Sequence, residues 1–186
     1  VDIVLTGAAE RAITPMSVGC FGNLGALSTR NDAPAAASRP FDRDRDGFVM
    51  AEGGAMFVLE SADPARKRGA IYYGEVAGFG CASDAFHIVA PSEDSRHAAH
   101  AMRLALADAR LDACEVDYVN AHATSTPIGD VFEAKALQEA LGEHVQTTPV
   151  SGTKSMTGHM IGAASAVEAA ICLAAFDRQA LPPTIN

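Results

Sequence analysis

Short apolar runs alternate with helix-like stretches along almost the whole chain, and this order of elements constrains the fold more than any other feature. The apolar run at 1–7 ends at Gly7 and reads as a buried strand. Thr14 followed by Pro15 reads as an N-cap and first helical residue, opening a helix to about Leu27. Residues 29–47 carry Asn, Asp, Pro, Ser and Arg without a period, the pattern of a loop. Residues 54–60 read as a strand, 62–69 as a short charged helix, and 71–80, with three glycines, as a bent strand. Apolar residues at helical spacing from Asp94 to Leu111 (Ala98, Met102, Ala105, Leu106, Ala109) predict an amphipathic helix. A strand at 116–121, a helix at 128–141 closed by Gly142, a strand at 148–151 and a long apolar helix over 156–177 complete the series. Strand and helix in alternation predict an α/β fold with a largely parallel or mixed sheet.

Composition removes several classes of function. With 186 residues, 48% of them hydrophobic, the chain can bury a core of its own. Its net charge of −9 lacks the basic face that a non-specific nucleic-acid binder needs. Cys20, Cys81, Cys114 and Cys172 are widely spaced and form no CxxC pair, which fits reduced thiols in the cytoplasm and neither a disulfide framework nor a zinc site. Residues 155–176 are apolar and contain Gly158 and Gly162 as a GxxxG pair, so a membrane span is the alternative there. Glu168 in the middle, and Ala and Gly where a lipid-facing helix would carry Leu and Phe, argue for a buried helix and against a span. The chain opens on a strand already under way and closes on Leu-Pro-Pro-Thr-Ile-Asn, so it is expected to be part of a longer protein.

Three segments place polar residues where strands end, the usual location of sites in α/β folds. In His122-Ala-Thr-Ser-Thr-Pro-Ile-Gly-Asp130, the hydroxyls of Thr124, Ser125 and Thr126 either donate to a ligand or cap the following helix. His122 is either a core histidine or a site residue. In Ser151-Gly-Thr-Lys154-Ser-Met-Thr-Gly-His159, the histidine is expected in the first turn of the long helix, whose N-terminus would keep it neutral and able to donate an N–H. Lys154 needs a buried partner, and Glu168 on that helix is the candidate. In Phe41-Asp-Arg-Asp-Arg-Asp-Gly47, alternating Asp42, Arg43, Asp44, Arg45 and Asp46 predict an ion-pair network. The interleaved arginines, with no Glu at the twelfth position, speak against a calcium loop.

Taken together, ALSTRNDAPAAASRPFDRDRDGFVMAEGG at 26–54, VNAHATSTPIGD at 119–130 and KSMTGHMIGAASAVE at 154–168 resemble the elongating β-ketoacyl-acyl-carrier-protein synthases of type II fatty-acid synthesis. The resemblance runs along essentially the whole chain. It implies a thiolase-like fold, an αβαβα layered sandwich of two similar halves. Residues 1–80 would be the end of the first half and 81–186 most of the second. It implies a decarboxylative condensation of malonyl-carrier with an enzyme-bound acyl group, by a triad of one cysteine and two histidines. His122 and His159 match those histidines, and Lys154 matches the lysine beside the second. Thr124 and Thr126 match hydroxyls on the phosphopantetheine arm, and Phe21 matches an aromatic of the acyl pocket. The nucleophilic cysteine is expected upstream of Val1, and the glycine-rich loop that completes the oxyanion hole beyond Asn186. Cys20 reads as a small apolar residue. An acyl carrier protein and a second copy of the same chain are the implied partners, with no cofactor beyond the carrier's phosphopantetheine and no metal.

Two positions depart from the family pattern. Ala123 stands where the family reads glycine in HGTST, and its extra methyl is expected to be tolerated. Gly25 stands where some members carry a basic residue, so carrier docking would rely on other parts of the protein. A polyketide ketosynthase and a non-catalytic chain-length-factor-like partner are the alternatives. A cysteine or a glutamine at the upstream elbow would decide between enzyme and partner.

Overall fold

The computed structural model describes residues 2–92 and 94–186. Strand β1 (Ile3–Glu10) pairs antiparallel with β2 (Gly53–Glu60), in a register that sets Ile3 opposite Glu60 and Glu10 opposite Gly53. The first strand therefore runs through Gly7 instead of ending there. A Cβ at Gly7 would lie 2.1 Å from the Ala55 carbonyl oxygen, so glycine is what lets the ladder continue.

Helix α1 (Pro15–Asn23) starts as its sequence specifies, with Thr14 Oγ1 accepting the Ser17 N–H at 3.2 Å. It stops short of Leu27. The chain turns at Gly25 (φ +69), and Ala26–Ser28 lie beside Phe48: the Phe48 N–H donates to the Ala26 carbonyl at 2.9 Å, and the Ser28 N–H to the Phe48 carbonyl at 3.0 Å. A long-range pairing thus overrides the helical pattern. The following loop is tied down by its acidic and basic residues, as expected. Asp46 accepts from Ser28 Oγ at 2.6 Å and from the Thr29 N–H at 3.1 Å, and Arg39 pairs with Asp42 at 2.7 Å.

After β2 and the short helix α2 (Ala62–Lys67), residues 71–80 form no strand. Among the described residues no neighbouring strand offers them a ladder, and the Phe79 N–H donates to the Asp108 carboxylate at 3.0 Å. Their glycines serve helix packing instead. A Cβ at Gly80 would sit 1.9 Å from the Ala101 carbonyl oxygen, and one at Gly78 would sit 2.3 Å from that of Ala105. Helix α3 (Arg96–Ala109), against which they lie, packs on α4 (Gly129–Leu141) through Ala99, Ala136 and Ala140, flanked by Met102. Between the helices, β3 (Val119–Asn120) pairs in parallel with β4 (Val150–Ser151), each shorter than its sequence pattern.

The long apolar helix expected over 156–177 is broken in two. One turn, α5 (Lys154–Thr157), is followed by Gly158 at φ +70, a 3-10 turn over Ile161–Ala163, and then α6 (Ala164–Arg178). The break is fixed from outside: the His159 N–H donates to the Val49 carbonyl at 2.7 Å, and the Ala51 N–H to the His159 carbonyl at 3.0 Å. Two tertiary hydrogen bonds replace the helical ladder here. Gly158 and Gly162 therefore flank a break in the helix, and among the described residues no helix is long and apolar enough to cross a membrane. The close approach of residues 71–80 to α3 is open to test. Gly80→Ala should lower the stability of the folded chain by about 1–3 kcal/mol in denaturant titration, since a backbone carbonyl must move to admit the methyl group. An unchanged midpoint would contradict this packing.

Candidate active site

The histidine loop begins where the parallel ladder ends. The Ala121 N–H still donates to the Ser151 carbonyl at 2.9 Å, and the chain then zigzags through two left-handed residues, Ala123 (φ +36) and Ser125 (φ +69). Such conformations cost on the order of 1–2 kcal/mol for a residue with a Cβ, so the loop must be held. Two acids of α4, Asp130 and Glu133, hold it. Glu133 accepts the His122 N–H at 2.6 Å on one carboxylate oxygen and the Ala123 N–H at 2.7 Å on the other. Asp130 accepts the Ser125 N–H at 3.0 Å and the Phe41 N–H at 2.8 Å. Burial pushes both carboxyls above their ordinary range, while these N–H donors pull back toward the charged form. The Ala123 methyl is accommodated in full burial, as expected.

The two histidines expected to work together are neighbours. Their rings stand edge to face with centroids 5.3 Å apart. Phe48 lies 5.0 Å from the His159 ring, and Phe21 lies 5.4 Å from Phe48. The four rings thus form a continuous line from α1 to the histidine loop. His159 Nδ1 accepts the Ile161 N–H at 3.2 Å, which places the ring proton on Nε2, a donor with no hydrogen-bond partner among the described residues. Burial, and then the nearby Lys154 charge, push both imidazoles down from 6.5 to about 4; for His159 the His122 ring adds a smaller push. Both are neutral at pH 7. His159 is not in the first turn of the long helix, however. Its neutrality comes from desolvation and a neighbouring cation, and owes nothing to a helix N-terminus.

Lys154 is buried, with 1% of its side chain exposed, and its Nζ meets Glu168 Oε1 at 2.5 Å. The expected pair is therefore formed, across the break between α5 and α6. Thr124 and Thr126 line a cavity of about 460 Å³ together with His122, Glu133 and Phe132, with Asp84 and His87 on the facing segment. Their hydroxyls are 3.0 Å apart, and Thr126 Oγ1 also accepts the Gly129 N–H at 3.2 Å, so Thr126 additionally fastens the start of α4. Phe48, Asp130 and Glu133 are site residues that the sequence reading did not single out. The i, i+3 spacing of Asp130 and Glu133, just after the histidine loop, was the available signal. Among the described residues, no ring contact or hydrogen bond joins any cysteine to either histidine, and burial raises the Cys172 thiol above its ordinary value.

Residues 73–186 match the β-ketoacyl synthase C-terminal domain family, and residues 1–65 match the β-ketoacyl synthase N-terminal domain family. The chain is 51% identical to 3-oxoacyl-[acyl-carrier-protein] synthase 2 of Vibrio cholerae, over all of this chain and 45% of that protein. It is 46% identical to the actinorhodin polyketide putative β-ketoacyl synthase 1 of Streptomyces coelicolor, over all of this chain and 40% of that one. Among solved structures it superimposes on a type II PKS ketosynthase in complex with its acyl-carrier protein, with TM-score 0.95 and 40% identity over 98% of this chain and 45% of the other. A β-ketoacyl synthase of Burkholderia phymatum superimposes with TM-score 0.93 and 44% identity, over all of this chain and 44% of that one. The chain spans less than half the length of these relatives.

Two measurements check the electrostatics of the site. In a histidine NMR titration, His122 and His159 should have midpoints near 4. Because the unfolded chain takes up these protons near 6.5, the two groups contribute stability above that pH and withdraw it as pH falls through about 4. Midpoints near 6.5 would show that the rings are solvated. Lys154→Ala should cost about 3–5 kcal/mol in denaturant unfolding, because Glu168 is left without its cation. A loss below about 1 kcal/mol would mean that the pair is effectively exposed.

Proposed function

The chain belongs to the β-ketoacyl synthase family and carries its thiolase-like fold, and on that premise we propose that the protein containing it extends acyl chains by decarboxylative condensation with malonyl-carrier. The observation that carries this reading is the pair of neutral imidazoles 5.3 Å apart, beside a buried lysine.

An acyl group first passes from its carrier thioester to a cysteine thiolate supplied by another part of the protein. Malonyl-carrier then enters, and the electron pair of its breaking C–CO₂ bond moves onto the thioester oxygen as an enolate. Neutral imidazole N–H groups suit that oxygen, since they donate to developing charge without first surrendering a proton. The enolate carbon next attacks the acyl thioester carbonyl, a carbon–carbon bond forms, and the cysteine leaves as thiolate. Donation from His159 Nε2 is supported by the Ile161 N–H that occupies Nδ1. Burial, with the Lys154 charge held by Glu168 as a second cause, keeps both rings uncharged. Thr124 and Thr126 line the cavity beside His122 and are assigned to the phosphopantetheine arm. Phe21, at the far end of the ring line, is assigned to the acyl chain.

Residues 1–80 and 81–186 are assigned to the two thiolase-like halves of a homodimeric cytoplasmic enzyme that takes its substrates on acyl carrier protein and needs no further cofactor. Fatty-acid elongation is favoured over polyketide synthesis by the higher identity to the Vibrio cholerae protein, 51% against 46%. In the full-length protein, His159→Ala should lower malonyl-carrier decarboxylation by roughly 10²–10³-fold while acyl transfer to the cysteine persists. Decarboxylation at an undiminished rate would refute the enolate-stabilising role. A glutamine where the cysteine is expected would identify a non-catalytic partner instead.

A further inference from the structure

Lys154 sits on a single helical turn, Lys154–Thr157, which is too short to be stable by itself. Its position has to be set by what surrounds it. The residue two before the turn and a side chain within it are hydrogen-bonded to a segment more than two dozen residues later. The Gly152 N–H donates to Thr184 Oγ1 at 2.9 Å, and the Ile185 N–H donates to Ser155 Oγ at 3.0 Å. Asn186 then reaches across to the loop after α1, where its Nδ2 donates to the carbonyls of Ala35 and Ser38, each at 3.0 Å. Ser38 closes the circuit by donating its hydroxyl to the Lys154 carbonyl at 2.8 Å.

Residues 181–186 have no regular structure of their own. Pro182 and Pro183 fix φ and stiffen the approach to Thr184, so the segment costs little further entropy to order. Gly152 is buried, and its N–H has no part in the β3–β4 ladder, so without the Thr184 hydroxyl it would be an unpaired buried donor. We infer that the segment 181–186 is a strap that positions Lys154 against the two histidines, with Thr184 and Asn186 as its positioning residues. This rests on the reading of His122, His159 and Lys154 as the reaction site.

The Lys154 charge is one of the forces that hold both imidazoles near 4. A displaced turn therefore reports itself in the histidine titration, independently of activity. In the full-length protein, Thr184→Val should raise the midpoints of His122 and His159 toward 6.5 and lower kcat by up to roughly 10²-fold with little change in KM. Thr184→Ser, which keeps the acceptor, should restore both. Asn186→Ala, which removes only the amide that reaches the Ala35 and Ser38 carbonyls, should shift the midpoints in the same direction and serves if Thr184→Val does not fold. Loss of thermal stability with both midpoints unmoved in folded variants would overturn the strap, leaving the proposed reaction intact. Midpoints that rise in a protein with no condensing activity even before substitution would support the strap and refute the reaction.

Discussion

The carboxylate of Asp130 joins two loops that are far apart in sequence, and the geometry of the site depends on that junction. Its side chain is 1% exposed; one oxygen accepts from Ser125, the other from Phe41, and Arg45 lies 3.6 Å away. A buried carboxylate is costly unless its lone pairs are taken up, and here they are. Ser125 extends the same seam, accepting the Arg39 N–H on its hydroxyl and the Gly47 N–H on its carbonyl. Gly47 precedes Phe48, whose ring meets His159, so the acid at the start of α4 governs where the aromatic wall stands against the second histidine.

Part of the strained backbone is gathered at the same place. Phe41, Ala123, Ser125 and Ile161 all have φ between +36 and +69, and each abuts the histidines or the seam. Arg110 and Gln179 share that conformation, but at helix C-termini, where it is an ordinary way to end a helix. The strained residues around the site persist because buried acids and remote carbonyls over-determine them. Ile161 shows the benefit: its conformation aims an N–H at His159 Nδ1 and fixes which nitrogen carries the proton.

Charge is arranged with similar economy. One buried cation, paired with Glu168, stands close enough to both imidazoles to disfavour a second positive charge. A helix N-terminus could have served the same purpose, but the break at Gly158 removes that option. The chain places a lysine there and spends Glu168, on the far side of the break, to keep it buried.

Local chemistry alone specified much of this. The Thr14–Pro15 helix start, the amphipathic α3, the Gly142 stop and the Asp–Arg loop network follow from residue types and spacing, because caps, periodicity and near-neighbour charge act within a few residues. The two histidine segments were legible from their resemblance to the β-ketoacyl synthases, and Lys154 pointed to Glu168 because a buried cation needs a partner. Tertiary structure decided the rest. Whether α1 ended at Asn23 or Leu27, whether residues 71–80 found a strand partner, and whether the apolar run after Lys154 stayed one helix depended on contacts with remote segments. The roles of Phe48, Asp130 and Glu133 belong to that second group. Spacing marks Asp130 and Glu133 as neighbours on one helix, but only the fold brings Phe41 to Asp130, the His122 N–H to Glu133 and Phe48 to His159.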